Sequence, residues 1–392
     1  MEARGVGGKI DVMTFLSRRS LLAGSTAAGA MLVGTGRAAA HTPSGSALPD
    51  TRALQEAISD LTHPAATSAQ LLVDHPGQRW YGTSGVADIG TTRQVRPDDA
   101  FRAGSVTKAF VATVVLQLWA RGVVDLDEPI GRHLPGLLPA ESARITVAQL
   151  LNHTSGLPDH RDLPDVSTPE AVLGHRFDRW TPEDLVRTVT LDPLKFRPGS
   201  KQEYRGINYV LLALLVEALT GRPYGEVIRE RVVRPLDLRG TLIPGHDTRL
   251  HGSHVHGYLK MTDGSLRDVT VYDPSYAWGE GELVSTVADL FRFHQALFSG
   301  ELLPPRAMSH LFTMPPDSVR MLDGSPARYS LGLQQATVNG VTFWGKTGDT
   351  YGYRTRVFST RDQRLRWVLA YTQTPLASPE DMTNRVVSVL TS

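Results

Sequence analysis

Hydrophobic positions along the chain change from alternating to helical spacing and back again. Residues 68–89 alternate around a Pro-Gly pair, which predicts a β-hairpin. Between Ser105 and Arg121 the apolar residues recur at helical spacing, and Gly122 ends the pattern. Because this segment is apolar around most of its circumference, we expect a buried helix.

The same two patterns divide the rest of the chain. Helical spacing predicts further helices at residues 51–60, 145–153, 208–221, 223–233, 286–298 and 378–390. Segments rich in β-branched and aromatic residues predict strands at 327–336, 340–346, 353–360 and 365–372. Strands at both ends with helices between them predict an α/β fold: an antiparallel sheet built from the two ends of the chain and flanked by helices, with an inserted all-α subdomain. The α/β part is expected at about residues 67–104 and 275–392, and the helical part at about 105–274.

Composition and charge narrow the functional classes. The 392 residues are 41% hydrophobic and 21% charged, with a net charge of +1 and no cysteine. This balance gives no reason to expect a nucleic-acid partner, and the lack of cysteine excludes disulfides and a thiolate nucleophile. His251, His254 and His256 lie close in sequence, but no acidic motif accompanies them, so we expect neither a metal nor a cofactor.

The first forty residues have the features of an export signal. Arg18 and Arg19 precede about fourteen apolar or small residues, too few for a permanent membrane span, and three alanines end at Ala40. This arrangement resembles a twin-arginine signal cleaved after about Ala40, which predicts a secreted protein whose catalytic domain is residues 41–392. The alternative is an uncleaved amphipathic N-terminus.

Ser105 and Lys108 are the first candidate chemical pair. Residues three apart lie on the same side of a helix, so the lysine amine can reach the serine hydroxyl. Burial disfavours a charged lysine and would provide a free amine as a base. The alternative is a helix cap followed by a solvated lysine, and this pattern alone does not decide between them.

Two further segments supply the context. Tyr204 lies just before an apolar helix, and Lys346, Thr347 and Gly348 stand at the end of a predicted strand. With Ser105-Val-Thr-Lys108, they occur in the order and rough spacing of the penicillin-recognising serine enzymes, the class C β-lactamase and DD-peptidase family, which the chain resembles over about residues 70–390. The resemblance implies the β-lactamase/transpeptidase-like fold, with the site in the cleft between its two parts.

The resemblance also implies a role for each residue. Ser105 would attack a carbonyl and form an acyl-enzyme, with Lys108 accepting its proton. Tyr204 would protonate the leaving group and later activate the incoming nucleophile, and Lys346 would keep that tyrosine poised. The backbone N–H groups of Ser105 and Asp349 would bind the oxyanion. Without these roles, Tyr204 would be a core aromatic and Lys346 a solvated residue at a strand end.

Departures from the family pattern bear on the substrate. Gly206 stands where the family usually has an asparagine that binds substrate amides, and Gln334 stands where carboxypeptidases carry an arginine for the terminal carboxylate. Asp349 follows the third motif, and we expect its charge to repel a carboxylate and favour an amine. Trp278 matches the aromatic wall of the DD-peptidase pocket, or is a core tryptophan. Lys346, in place of a histidine, is closer to the β-lactamase pattern.

These observations predict a serine acyl-enzyme hydrolase or transacylase. The altered positions favour an ester or amide substrate, small or peptide-like, without a free carboxylate, and an amine could serve as the acceptor. A D-alanyl-D-alanine carboxypeptidase or a class C-type β-lactamase is the alternative. From another class, a catalytically silent protein that binds ligands in the same cleft is favoured by Gly206 and opposed by the four intact catalytic residues.

Overall fold

The computed structural model describes residues 49–161 and 163–392, so the predicted export signal lies outside the described residues. One six-stranded antiparallel sheet forms the frame, in the order β2-β1-β12-β11-β10-β9. The strands are β1 Ala66–His75, β2 Gln78–Gly85, β3 Phe101–Gly104, β4 Lys201–Gln202, β5 Tyr258–Lys260, β6 Leu266–Asp268, β7 Leu283–Ser285, β8 Arg320–Met321, β9 Gln334–Val338, β10 Val341–Thr350, β11 Tyr353–Thr360 and β12 Arg366–Gln373.

The two ends of the chain meet in the middle of this sheet. β1 pairs with β12, with Leu71 opposite Leu369, and β1 also forms the predicted hairpin with β2. The four C-terminal strands follow one another as neighbours, β9 to β12. The prediction of one antiparallel sheet made from both ends is confirmed.

Helices cover both faces of the sheet. They are α1 Thr51–Ser59, α2 Thr107–Ala120, α3 Val147–Leu151, α4 Pro169–His175, α5 Pro182–Val189, α6 Ile207–Thr220, α7 Tyr224–Ile228, α8 Val287–Ser299, α9 Pro305–Leu311 and α10 Met382–Leu390. On one face α1 and α10 pack over a core that includes Phe358 and Trp367. The other face belongs to a larger core that contains α2, α6 and α8.

The buried helix predicted after Ser105 is α2. Its side chains are buried on all sides, including those of Lys108 and Phe110. The Phe110 ring stacks on Phe293 of α8 with ring centroids 3.8 Å apart. The core around α2 therefore fixes the depth and direction of Lys108.

Two elements differ from the expectations. The strand expected at residues 327–336 begins only at Gln334, because Gly332 has a φ of +119° and the backbone turns there. The segment expected to be all-helical also contains the short hairpin of β5 and β6. Among the residues that the structure describes, no helix has both the length and the hydrophobicity needed to cross a bilayer.

Candidate active site

Ser105 lies in the tight connection between β3 and α2. β3 is anchored by antiparallel pairing with β7, and Gly104 adopts a φ of +54°, which allows the chain to turn into the helix. Ser105 is half-buried and precedes the first helical residue by two positions. The turn therefore presents the serine at the N-terminal end of α2, where the helix dipole favours a developing negative charge.

Lys108 lies one turn farther along and reaches back to the serine. Its Nζ is 3.1 Å from Ser105 Oγ, 2.8 Å from the backbone oxygen of Glu280 and 2.9 Å from Glu280 Oε2. The side chain is 0% exposed. Burial lowers the pKa of Lys108, and the charge and hydrogen bond of Glu280 oppose that shift.

Tyr204 is held between the two lysines. The ring centroid lies 5.1 Å from Lys108 Nζ and 4.7 Å from Lys346 Nζ, and the buried His153 packs against the same ring at 4.5 Å. Burial raises the pKa of Tyr204 far above its ordinary value, the charge of Glu280 adds to the rise, and the nearby Ser105 hydroxyl opposes it. The Tyr204 hydroxyl is buried close to the Ser105 hydroxyl. The phenol is therefore a neutral proton donor near the nucleophile.

Lys346 occupies the middle of β10 on the face that meets Tyr204. Its Nζ donates to the backbone oxygen of Thr347 at 2.9 Å, and the residue is 3% exposed. Burial and the nearby charge of Lys108 hold the pKa of Lys346 well below its usual range. The structure thus brings together all four predicted catalytic side chains.

Gly348 and Gly104 allow the end of β10 to approach the turn that carries Ser105. A Cβ at residue 348 would lie 2.0 Å from the Ala103 oxygen, and one at residue 104 would lie 2.8 Å from Asp349 N. Thr350 and Tyr353 close a two-residue hairpin, so the next pair, Asp349 and Arg354, directs its N–H groups away from the β10–β11 ladder. The Asp349 N–H therefore points toward the turn that carries Ser105.

The side chain of Asp349 does not act as the sequence led us to expect. The strand continues to Thr350, so Lys346 and Asp349, three residues apart, face opposite sides of the sheet. The Asp349 side chain is 4% exposed and pairs at 2.5 Å with the buried Arg356, which also binds Asp381 at 2.9 Å. Arg356 neutralises the charge of Asp349 on the face of the sheet opposite Lys346. The expectation that Asp349 repels a substrate carboxylate is therefore wrong.

Glu280 is the site residue that sequence reasoning missed. It lies in the turn between a short 3-10 helix, Pro274–Ala277, and β7, and it is 3% exposed. A Cβ at residue 206 would lie 1.7 Å from Glu280 Oε2. The carboxylate therefore fills the space left by the glycine at the position where the family usually has asparagine.

The remaining predicted positions surround this centre. Gln334 is buried at the start of β9 and accepts a hydrogen bond from Thr347 Oγ1 at 3.4 Å. Trp278, two residues before Glu280, packs edge-on against Tyr224 with ring centroids 4.8 Å apart. Trp278 is half-buried, which is compatible with an aromatic wall of the pocket and with a core residue.

Aromatic residues that the sequence did not single out gather at the end of β10. Thr350 Oγ1 lies 2.7 Å from the hydroxyls of both Tyr272 and Tyr276, and Tyr276 stacks on Tyr351 with centroids 5.2 Å apart. Thr350 is four residues beyond Lys346 and on the same face of the strand. This cluster places apolar rings beside the catalytic face of the sheet.

The grouped histidines have different polar partners, although the rings of His254 and His256 stack with centroids 4.9 Å apart. His256 Nδ1 is 2.7 Å from Asp268, His254 Nδ1 is 2.8 Å from the Gly252 oxygen, and His251 pairs with Asp247. Within the described ranges, no three His, Asp or Glu residues are arranged to hold a metal ion.

Comparison with known proteins agrees with this arrangement. Residues 54–391 match the Beta-lactamase family model, so the chain belongs to the β-lactamase family. A D-stereospecific amidohydrolase from a Streptomyces species has a similar structure, with 34% identity, a TM-score of 0.76, and coverage of 87% of this chain and 98% of that one. A D-amino acid amidase from Ochrobactrum anthropi SV3, solved with L-phenylalanine amide, gives 26% identity, a TM-score of 0.74 and the same coverage.

Curated relatives include penicillin-binding proteins. The putative penicillin-binding protein PbpX of Bacillus subtilis is 29% identical over 64% of this chain and 58% of its own length. Penicillin-binding protein 4* of the same organism is 25% identical over 73% of this chain and 63% of its own length. The matches therefore span less than two thirds of these relatives.

Proposed function

We propose that this protein is a serine acyl-enzyme hydrolase that cleaves amides or esters lacking a free carboxylate next to the scissile bond. The observation that carries the proposal is the 3.1 Å approach of a fully buried Lys108 Nζ to Ser105 Oγ. A lysine with a lowered pKa, beside a serine at a helix N-terminus, can accept the serine proton during attack on a carbonyl. The intact contact set opposes a catalytically silent binding protein.

The acylation step follows from the same geometry. As Ser105 Oγ bonds to the carbonyl carbon, its proton passes to Lys108 and the carbonyl π pair moves to oxygen. The N–H groups of Ser105 and Asp349 stabilise that oxyanion, a contribution of about 3 kcal/mol for each donor in comparable holes. Tyr204, neutral because of its burial, protonates the leaving amine or alkoxide as the carbonyl re-forms. Water or an amine then takes the acyl group by the reverse steps.

Three features support a substrate without a carboxylate. Gln334 offers a neutral amide where carboxypeptidases carry an arginine. Arg356 is buried and paired with Asp349 and Asp381 on the face of the sheet opposite Lys346, so its charge is not available to a substrate carboxylate. Lys346 is buried with a lowered pKa, which weakens it as a partner for an anion.

The solved neighbours suggest the stereochemistry. One is named a D-stereospecific amidohydrolase and another a D-amino acid amidase, and each match covers 87% of this chain. We propose D-configured amides and esters as substrates, with an aromatic side chain accommodated by the tyrosines near Thr350. Transfer of the acyl group to an amine remains part of the proposal, since the same acyl-enzyme serves both outcomes.

The test begins with the nucleophile. Ser105→Ala should abolish covalent labelling by a fluorophosphonate and reduce turnover by about three to six orders of magnitude, because the acyl-enzyme needs that oxygen. Intact-protein mass spectrometry measures the adduct, and Ser155→Ala, a buried serine elsewhere in the helical part, is the control that should still be labelled. An adduct that persists in Ser105→Ala would remove the assignment.

A substrate panel on the unmodified enzyme tests the second half. D- and L-phenylalanine amides, p-nitrophenyl esters, benzylpenicillin and an acyl-D-alanyl-D-alanine peptide should be ranked by kcat/KM. We expect the D-amide and the esters to lead. Fastest cleavage of the D-alanyl-D-alanine peptide would support the carboxypeptidase alternative instead.

A further inference from the structure

We propose that Glu280 is a positioning residue that directs the proton-accepting site of Lys108 at Ser105, from the space that Gly206 leaves open. The inference rests on the proposed function, since it concerns how the base of that reaction is oriented. The observation behind it is that Lys108 Nζ has three contacts, two of which are with Glu280.

The three partners differ in what they can exchange with the amine. The Glu280 backbone oxygen and its carboxylate can accept hydrogen bonds but cannot donate them, whereas the Ser105 hydroxyl can do both. A neutral amine has two N–H groups and one lone pair. Because two directions require an N–H, the lone pair must point along the third direction, which leads to Ser105 Oγ.

The proton moves from Ser105 Oγ to Lys108 Nζ along this third direction. In acylation the Ser105 O–H bond breaks, the serine oxygen bonds to the substrate carbonyl carbon, and the proton forms a third N–H bond on Lys108. The resulting ammonium then has three N–H groups and three acceptors, one for each. Glu280 keeps both of its contacts before and after transfer, so the base does not reorient during the step.

Gly206 makes this contact possible. Any side chain at position 206 would place its Cβ within 1.7 Å of Glu280 Oε2 and within 2.2 Å of the carboxyl carbon. Real Cβ atoms do not approach other heavy atoms so closely, so Glu280 would have to leave. The glycine and the glutamate therefore act as a pair: one provides the space, and the other brings an acceptor into it.

Other groups around Lys108 bear on its titration. Tyr204 and Tyr209 present ring faces 5.1 and 5.8 Å from Nζ, and Lys346 and His153 are the nearby basic groups. Both basic groups are buried, with pKa values held low by burial and by the charge of Lys108. Within the described chain, Glu280 is the acidic residue that hydrogen-bonds Lys108.

The experiment compares Glu280→Gln with Glu280→Asp. The glutamine keeps the size and an acceptor oxygen but removes the charge, so the acidic limb of kcat/KM for a p-nitrophenyl ester should move down by about 1–3 pH units. The plateau should fall at least about tenfold, because a neutral acceptor stabilises the ammonium less well. The aspartate keeps the charge, so its acidic limb should stay nearer that of the wild type while the plateau falls from altered geometry.

Controls separate this inference from the proposed function. Glu56→Gln on the surface of α1 makes the same change in charge without touching Lys108, and its profile should match the wild type. Thermal melting verifies that each variant is folded, and fluorophosphonate labelling of wild-type Ser105 tests the nucleophile independently. If labelling occurs at Ser105 but Glu280→Gln keeps the wild-type limb and plateau, or moves the limb upward, the inference falls while the proposed function stands.

Discussion

Glycine at position 206 is an exact spatial requirement if Glu280 is to reach Lys108. Gly206→Ala should displace the carboxylate and lower kcat/KM for the ester at least about tenfold, since the Glu280 contact that orients the base is lost. Steady-state kinetics measure the loss. Gly174→Ala in α4 is the matched control, because a Cβ there meets nothing within 4 Å and activity should not change.

The double variant tests whether the two residues act through one contact. Glu280→Ala removes the carboxylate, so adding Gly206→Ala to it should cost little more than Glu280→Ala alone. Fully additive losses would mean that residue 206 affects the site by another route. A substitution to asparagine at 206, made to restore the family residue, meets the same obstacle unless Glu280 is also shortened.

At the residue scale, short sequence motifs predicted most of the residues of the site. Ser105 and Lys108 were predictable because they are one helical turn apart and because Tyr204 and Lys346 follow them in the order of the family motifs. Glu280 was not, since its contact with Lys108 joins residues 172 positions apart and its own segment has no periodic pattern. The role of Asp349 was misjudged because the predicted strand stopped at Lys346, which concealed the alternation of faces.

At the scale of elements, the segment from Pro274 to Ser285 is fixed by a buried carboxyl group. Glu282 accepts a hydrogen bond from the Gly279 N–H at 3.0 Å and pairs with the Tyr224 hydroxyl, and the residue is 2% exposed. Burial raises the pKa of Glu282 to about 7, and the hydrogen bonds oppose part of the rise. This group holds the turn that carries Trp278 and Glu280.

A pH dependence of stability follows. The ordinary pKa of 4.5 applies in the unfolded chain, so between pH 4.5 and about 7 the folded state keeps a proton that the unfolded state has lost. Stability contributed by Glu282 therefore declines as pH rises through this window, by about 3 kcal/mol in all. Glu282→Gln keeps a hydrogen-bond acceptor but cannot ionise. Its free energy of unfolding should therefore rise relative to that of the wild type between pH 5 and 8. Urea denaturation measures both, and parallel curves would contradict this account.

Periodicity predicted most of the elements that build the two hydrophobic cores. The β1–β2 hairpin, β10 to β12, and helices α2, α6, α8 and α10 were found because their apolar residues follow the period of the element. The expected strand at 327–336 was too long, since its alternation passes through Gly332, where the backbone turns and a Cβ would lie 2.5 Å from Ala112 Cβ. Packing against α2, which no local pattern reports, ended that strand.

At the scale of the whole molecule, the fold depends on contacts between the two ends of the chain. β1 pairs with β12, and α1 packs against α10, so the sheet is complete only when the last strands are present. The catalytic groups come from four distant segments around residues 105, 204, 280 and 346. The site can therefore form only in the folded chain.

We propose that residues 1–40 direct export of the folded protein through a twin-arginine route, as the paired Arg18 and Arg19 and the mild apolar segment after them suggest. A receptor that reads the arginine pair distinguishes it from two lysines of the same charge. Replacing both Arg18 and Arg19 by Lys should leave the precursor inside the cell, as measured by immunoblotting of cell and medium fractions. Arg4→Lys with Arg37→Lys changes as many arginines outside the pair and should secrete normally. Normal secretion of the first variant would point to another route, or to an N-terminus that is not a signal.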